Sequence, residues 1–555
     1  MKRDVSVWIV LAALWAACPA GAAPADSPQF VDATRTAGID FRYTFGGTKE
    51  MTRILEATGP GLALFDADGD GDLDLYLVNG AWVDGLSTDE RAKSATSRLF
   101  RNDGKMKFTD VTQASGTGHH GSGMGCAAAD YDGDGDIDLF LTCYGPNVLY
   151  RNKGDGTFEN VAVQAGVAGP AKLNGWTKWS TGAVFFDADN DGDLDLYVAN
   201  YLAFDPAFNE FYGPQGFPGP SSYLGQPSIL YRNNGDGTFT DVSREAGIYR
   251  KDGRGMGINV IDVDGDGRLD LIETNDDMAN YLFLNQGGLK FKEAAVDSLV
   301  AYGQGGENTA AMHGSVADYD GDGRFDLLVT DANFSALFRN TGRGAFIDEA
   351  QPSGLARYCG RYATWGGFFF DFDNDGRLDI FLANGGAHHL FGQQNLVLRG
   401  TPGGRFDDVS LALGRRVFFE KRTSRGAAYG DLDNDGDLDV VVQNIDRVGP
   451  RDAGRPTLYE NRTAGANHWI GFVMKGKRPN TMAYGAVVKV TAGGRTRVQV
   501  VDPSNSYLSS SDPRPHFGLG AVTQAVRVEV RWPSGKTSVF EDLAADRYHT
   551  LQEGE

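Results

Sequence analysis

Short apolar runs, broken by clusters of Asp, Asn and Gly, recur along most of this 555-residue chain. A run such as Gly182-Ala183-Val184-Phe185-Phe186 leads into an acidic loop, and Leu196-Tyr197-Val198-Ala199-Asn200 leads out of it. A hairpin follows, as in Leu230-Tyr231-Arg232 to Thr238-Phe239, with Asn233-Asn234-Gly235-Asp236-Gly237 at its tip, residue types that suit tight turns. Helical spacing of apolar residues is scarce, so each unit reads as about four short strands. Four strands make one blade of a β-propeller, and closing the units into a ring removes the ends an open stack would expose.

The pattern also predicts how the ring closes. Six units are followed by a Phe-containing outer strand, at Phe108, Phe158, Phe239, Phe291, Phe346 and Phe406, whereas the seventh stops at Leu458-Tyr459-Glu460-Asn461. The missing strand has its counterpart at Phe30-Val31-Asp32-Ala33-Thr34, which is expected to complete the last blade. The fold class is therefore all-β, a seven-bladed propeller over residues 28–463 followed by a smaller β unit over 464–555. In that last part the acidic loops stop, and Val487-Val488-Lys489-Val490 and Val526-Arg527-Val528-Glu529-Val530-Arg531 read as strands.

The chemistry sits in the loops. Seven copies of one nine-residue pattern begin 53 to 75 residues apart, with Asp at positions one, three, five and nine and Gly at six. The candidate metal ligands are Asp66, Asp68, Asp70 and Asp74; Asp130, Asp132, Asp134 and Asp138; and Asp187, Asp189, Asp191 and Asp195. They continue with Asp262, Asp264, Asp266 and Asp270, then Asp318, Asp320, Asp322 and Asp326. Asp371, Asp373, Asp375 and Asp379 follow, and Asp431, Asp433, Asp435 and Asp439 end the series. A tight turn that aims alternate carboxylates inward is the ligand spacing of a calcium loop, so up to seven Ca²⁺ ions are expected. Position seven is Asp in four copies and Arg in Arg268, Arg324 and Arg377. A position accepting both charges contributes its backbone carbonyl, as in EF-hand-like loops. Position four is always Gly or Asn, which tolerate positive φ.

Charge agrees with this. The net charge of −22 is drawn largely from 28 loop carboxylates, and seven divalent cations would offset roughly two thirds of it. Such acidity speaks against a nucleic-acid surface. Lys2-Arg3, the apolar Val5–Ala17 stretch and Ala20-Gly21-Ala22 read as an export signal over residues 1–22. Trp15-Ala16-Ala17-Cys18 offers a lipoprotein cleavage site as the alternative, and no later segment is long enough to span a bilayer. Cys126 and Cys143 flank the second loop, where a hairpin would place them nearly opposite, as a disulfide or as two core thiols; Cys359 has no evident partner.

Two departures from the repeat stand out. Gly recurs five residues before each loop except in the fifth unit, where His313 replaces it as a channel ligand, a catalytic group or a filler. The third unit carries a long insertion, Tyr201 to Ser228, whose aromatics suit either recognition or capping of one propeller face. The adjacent pairs His119-His120 and His388-His389 lack further ligands at useful spacing for a transition metal.

With these residues in hand, the loop repeats resemble the FG-GAP/VCBS repeats of integrin α-subunit propellers. The C-terminal part resembles the ASPIC/UnbV domain of the cartilage acidic protein-like family, through Asn480-Thr481-Met482-Ala483-Tyr484-Gly485-Ala486, Tyr507-Leu508-Ser509, His516-Phe517-Gly518-Leu519-Gly520 and Arg531-Trp532-Pro533-Ser534-Gly535. The resemblance implies a calcium-bound propeller plus a small β domain on an extracellular or periplasmic protein. Tyr484 stands where the family has a small aliphatic, and Phe211-Tyr212-Gly213-Pro214 lacks the Cys expected before Gly-Pro. No EGF-like module follows, unlike in animal members.

No nucleophile elbow, HExxH or phosphate loop occurs. The expected function is a non-catalytic binding or adhesion module at the cell exterior, with a protein or glycan partner and no nucleic acid. The rivals are a hydrolase or natural-product cyclase in the propeller channel, drawing on His313, Arg361, Arg425 and Glu307, and a periplasmic assembly partner that docks through its C-terminal domain.

Overall fold

The computed structural model describes residues 30–44, 52–80, 82–83, 86–87, 90–211, 216–387, 392–445, 454–463, 465, 467–523 and 526–554. The export-signal reading over residues 1–22, the His388-His389 pair and Tyr212-Gly213-Pro214 lie outside the described residues.

Among the described residues, seven four-stranded antiparallel sheets follow one another along the chain, the fourth and fifth joined through Asp276 pairing with Ala310. Each is built alike. In the third, Ser180–Phe186 pairs with Asp195–Asn200, which pairs with Ile229–Asn233, which pairs with Phe239–Asp241. The acidic loop is always the turn between the first two strands, so that Phe186 pairs with Asp195 and Phe65 with Asp74. The anticipated closure is present: Phe30–Asp32 pairs with Thr457–Asn461 as the outermost strand of the last sheet.

The first strands of successive sheets touch in a ring, and the last, Ser424–Gly430, meets the first, Leu62–Phe65. Gly61 N–H donates to Met124 O at 2.8 Å, and Gly426 N–H donates to Pro60 O at 3.1 Å across the seam. Both faces of each sheet are covered by neighbours, so strands read Val-Val-Val or Phe-Phe-Phe instead of alternating. Side chains such as Leu196, Phe140 and Val441 are fully buried there, each contributing roughly 1.5–3 kcal/mol of burial.

A recurrent Asn at the end of the third strand staples the sheets together. Asn102 N–H donates to Asp74 Oδ1 at 2.7 Å, while its Nδ2 donates to Leu432 O of the preceding loop at 2.8 Å. Asn152, Asn233, Asn285, Asn340 and Asn461 repeat both bonds around the ring. The sixth sheet has Gly400 at that place.

The C-terminal part forms a three-stranded sheet, with His468–Lys475 between His516–Gly520 and Tyr548–Gln552, and a four-stranded one ordered Arg495–Val500, Val487–Ala492, Val526–Arg531 and Thr537–Leu543. It shares one apolar cluster with the second and third propeller sheets. Tyr484, the departure from the small aliphatic, is buried and donates its hydroxyl to Ala128 O at 2.9 Å.

The disulfide alternative for Cys126 and Cys143 is not realised, since both thiols are free and buried. The register that starts with Ala129 opposite Asp138 puts Cys126 opposite Leu141, and beyond a bulge Cys143 faces Gly123. Cys143 Sγ lies instead 3.4 Å from His119 Nε2.

Candidate functional site

Each acidic loop organises its own oxygens before any cation is considered. In the first, Asp66 Oδ2 accepts Gly71 N–H at 2.9 Å, Asp70 Oδ1 accepts Asp72 N–H at 2.9 Å and Asp74 Oδ2 accepts Ala67 N–H at 2.8 Å. Position six takes positive φ, 93° in Gly71, and position four does so in Gly and Asn alike, 78° in Gly69 and 61° in Asn190. Position seven stays out of the cage. Arg268, Arg324 and Arg377 fold back to pair with the position-five carboxylates of Asp266, Asp322 and Asp375.

Ligand oxygens of Asp66, Asp68 and Asp70 lie within 4.8 Å of one another, as do those of Asp130, Asp132 and Asp138, and of Asp187, Asp189 and Asp195. Positions one, three and nine cluster likewise in the fourth and fifth loops. These clusters have the donors to hold a metal ion, and their oxygens are incompletely used. Oδ1 of Asp68, Asp132, Asp187, Asp318 and Asp373 is buried without a hydrogen-bond partner, although buried polar atoms are almost always paired. An oxygen-only set with spare lone pairs suits a hard divalent cation. Burial pushes the position-nine carboxyls up to about 8 in Asp74, about 9 in Asp138 and about 8 in Asp195.

The channel is filled by the chain itself. The segment Val501–Pro515 runs from the C-terminal sheets along the inner strands: Ser510 N–H donates to Leu62 O and Leu64 N–H to Ser510 O, both at 2.9 Å, and Cys126 N–H donates to Leu508 O at 3.2 Å. Four of the glycines before the loops, Gly61, Gly125, Gly366 and Gly426, make room for it. A Cβ on Gly61 would lie 1.7 Å from Leu508 O, and one on Gly366 would lie 3.1 Å from Ser506 Oγ. His313 belongs to this packing. It is 3 % exposed, its Nε2 lies 3.3 Å from Ser504 O, and burial lowers its pKa to about 3.

The tip of the segment is Tyr507, fully buried, with its hydroxyl donated to Thr58 O at 3.0 Å and its ring edge-on to Trp365 at 5.3 Å. Beyond it, at the end of the ring away from the acidic loops, lies a cavity of about 600 Å³ walled by Trp365, Tyr362, Phe217, Met312, Asp276 and Arg361, among others. Asp276 receives the Tyr201 hydroxyl at 2.5 Å, and burial raises its carboxyl to about 7. The insertion supplies part of this wall. Tyr201, Phe204, Phe217 and Tyr223 are buried over Trp179, so the segment caps the channel and lines the cavity together.

The other candidate groups do not converge. Arg425 is wholly buried, stacked 3.8 Å over Trp365, and donates to the carbonyls of Ala57 and Ser424 at 2.7 and 2.8 Å. Arg361 stands exposed at the cavity rim, and Glu307 is exposed beside a separate depression with Asp331 and Cys359. The third-strand asparagines were missed from sequence, although their recurrence two residues after a Tyr or Phe was the available signal.

An ASPIC and UnbV family model matches residues 476–555, and an FG-GAP-like repeat model matches 66–141, 130–198, 222–273, 262–329, 318–382 and 371–442. The chain is 27 % identical to human cartilage acidic protein 1 over 381 residues, covering 66 % of this chain and 52 % of the relative. It is 25 % identical to the Xenopus tropicalis protein of the same name over 377 residues, covering 63 % and 51 %. It thus spans about half the length of the curated relatives it matches. Among solved structures, an Agrocybe aegerita lectin that recognises non-reducing terminal N-acetylglucosamine aligns at 19 % identity and a TM-score of 0.38, covering 63 % of this chain and 79 % of the lectin.

Proposed function

Because the chain belongs to the FG-GAP-like repeat proteins that carry an ASPIC and UnbV domain, we propose that it is an exported calcium-binding β-propeller working as a non-catalytic interaction module at the cell exterior. In this reading the four carboxylates of each loop, from Asp66–Asp74 to Asp431–Asp439, hold one Ca²⁺, and residues 28–463 and 464–555 are its propeller and its ASPIC and UnbV domain. When bound, the cation supplies charge compensation, so that the buried carboxylates stay ionised and the turn between the first two strands of each sheet is locked. Millimolar calcium outside the cytosol would fill even weak sites of this kind.

The filled channel carries the choice between binding and catalysis. The place where an enzyme of this fold would keep its site is occupied by Val501–Pro515, and His313 packs against that segment. What stays open is the cavity past Tyr507, of ligand size and mostly apolar, with Asp276, Asp277 and Arg361 as its charged groups. That combination favours capture of a partner's side chain or of a glycan. The assembly-partner reading loses weight for a parallel reason: the C-terminal domain spends its loop-facing surface on its own propeller.

Array screening of the calcium-loaded full chain against glycans and peptides tests this, with Ala332→Trp filling the cavity. Binding by the parent that drops at least tenfold in the variant is expected. Equal binding by both, or turnover of a screened compound, would sink the reading.

A further inference from the structure

The first carboxylates of the acidic loops are not held alike. In the second loop, Asp130 Oδ2 accepts Gly135 N–H at 2.9 Å and also the hydroxyl of Thr481, which comes from the C-terminal domain. Its Oδ1 accepts Asp134 N–H at 3.0 Å. In the seventh loop, Asp431 Oδ2 accepts Gly436 N–H at 2.9 Å and the hydroxyl of Tyr548, again from the C-terminal domain, at 2.9 Å, while Oδ1 accepts Asp435 N–H at 3.0 Å. A carboxylate oxygen offers two lone pairs. In both loops Oδ2 is therefore saturated, and Oδ1 keeps one lone pair for a cation.

The first loop shows the contrast. Asp66 Oδ2 accepts only Gly71 N–H, and Oδ1 accepts both Gly69 and Asp70 N–H at 2.8 and 3.1 Å; the hydrogen bonds of the described residues bring it no donor from the C-terminal domain. Asp130 and Asp431 are both almost fully buried, and in the same second loop Asp132 Oδ1 is buried with no partner at all. The domain closes tightly on these two loops. A Cβ on Gly133 would lie 3.0 Å from Pro479 O, and one on Gly436 would lie 1.9 Å from the Trp469 ring. Arg514 donates to Asp431 O at 2.9 Å and to Asn434 Oδ1 at 2.8 Å, engaging the loop's outer oxygens and leaving the inner ones.

We propose that the second and seventh loops are composite cation sites completed by the C-terminal domain, with Thr481 and Tyr548 as positioning residues that orient the first carboxylate. Cation binding and docking of the domain, with its channel-filling segment, then reinforce each other. This rests on the calcium reading above. Donors behind a ligand typically set a 10- to 100-fold difference in metal affinity, and the coupling must be reciprocal: whatever tightens the cation tightens the docking equally.

Calorimetric calcium titration of the full chain, parent against the double variant Thr481→Val with Tyr548→Phe, tests it. The variant should bind two of the ions 10- to 100-fold more weakly and the rest unchanged, and Thr481→Ser should retain parental affinity. Amide exchange of residues 502–513 in the parent gives a second measurement that does not depend on the variant folding. Chelation should speed that exchange, whereas Asp68→Asn, which removes the first loop's site, should not. If the parent binds calcium but the two isotherms superimpose, or if chelation leaves the exchange of 502–513 unchanged, the composite sites are wrong and the calcium reading stands. A parent that binds no calcium overturns both.

Discussion

Burial holds the Glu273 carboxyl up at about 7, although its Oε2 receives the hydroxyls of Tyr197 at 2.8 Å and Ser228 at 2.6 Å. A raised folded-state pKa means that the native state binds the extra proton between about 4.5 and 7, so stability falls as pH rises through that window and levels off above it. Glu273→Gln should flatten this slope and gain about 1–3 kcal/mol at pH 8, read from melting curves between pH 5 and 8. A variant with the parent's pH profile would show that Glu273 titrates normally. At this scale the 28 loop aspartates were legible because seven copies expose which positions never vary. His313 was not. Its replacement of Gly is visible in the chain, but what it packs on, Ser504, lies 191 residues away.

Among the elements, the channel segment is the one whose role depends most on contacts. Tyr507 anchors it between Thr58 and Trp365, and Tyr507→Ala should cost about 3–5 kcal/mol, as for other buried aromatics cut to Ala. Unfolding by denaturant measures the cost, and a loss under 1 kcal/mol would mean that the segment is only loosely seated. Phe30–Asp32 is the opposite case, an element whose place was readable from a missing strand elsewhere. Removing residues up to Thr34 should leave Thr457–Asn461 as an open edge and lower the melting temperature, with aggregation on heating. A truncated chain that melts like the parent would show the strand to be dispensable. The insertion Tyr201–Ser228 could be flagged by length and aromatics, yet its dual place as cap and cavity wall needed the ring to exist first.

For the whole molecule, charge and architecture meet on one face. The acidic loops lie at one end of the ring, and the C-terminal domain sits there, bringing Arg497 to Gly376 O at 3.0 Å and Arg531 to within 3.6 Å of Asp262. A chain with net charge −22 and its carboxylates gathered in cages should depend on divalent cations for cohesion. Each site held at a hundredfold excess over its Kd adds about 2.7 kcal/mol, so calcium should raise the melting temperature markedly and a chelator should reverse it. Identical melting with and without calcium would remove the cations from the account of stability.

Sequence alone determined what repeats and local geometry encode. The strand–loop–strand unit, the turn chemistry at Gly and Asn, the acidic cages and the latching first strand all depend on neighbours in the chain or on comparison between its own copies. Tertiary structure decided what nonlocal packing encodes. The Cys126–Cys143 pairing failed because the register set at the loop puts Leu141, not Cys143, opposite Cys126. The channel became a seat for Val501–Pro515 because glycines leave backbone space that only a second segment can reveal. Whether a buried oxygen keeps a free lone pair is likewise fixed by which distant residue reaches it, as Thr481 reaches Asp130 across 351 positions.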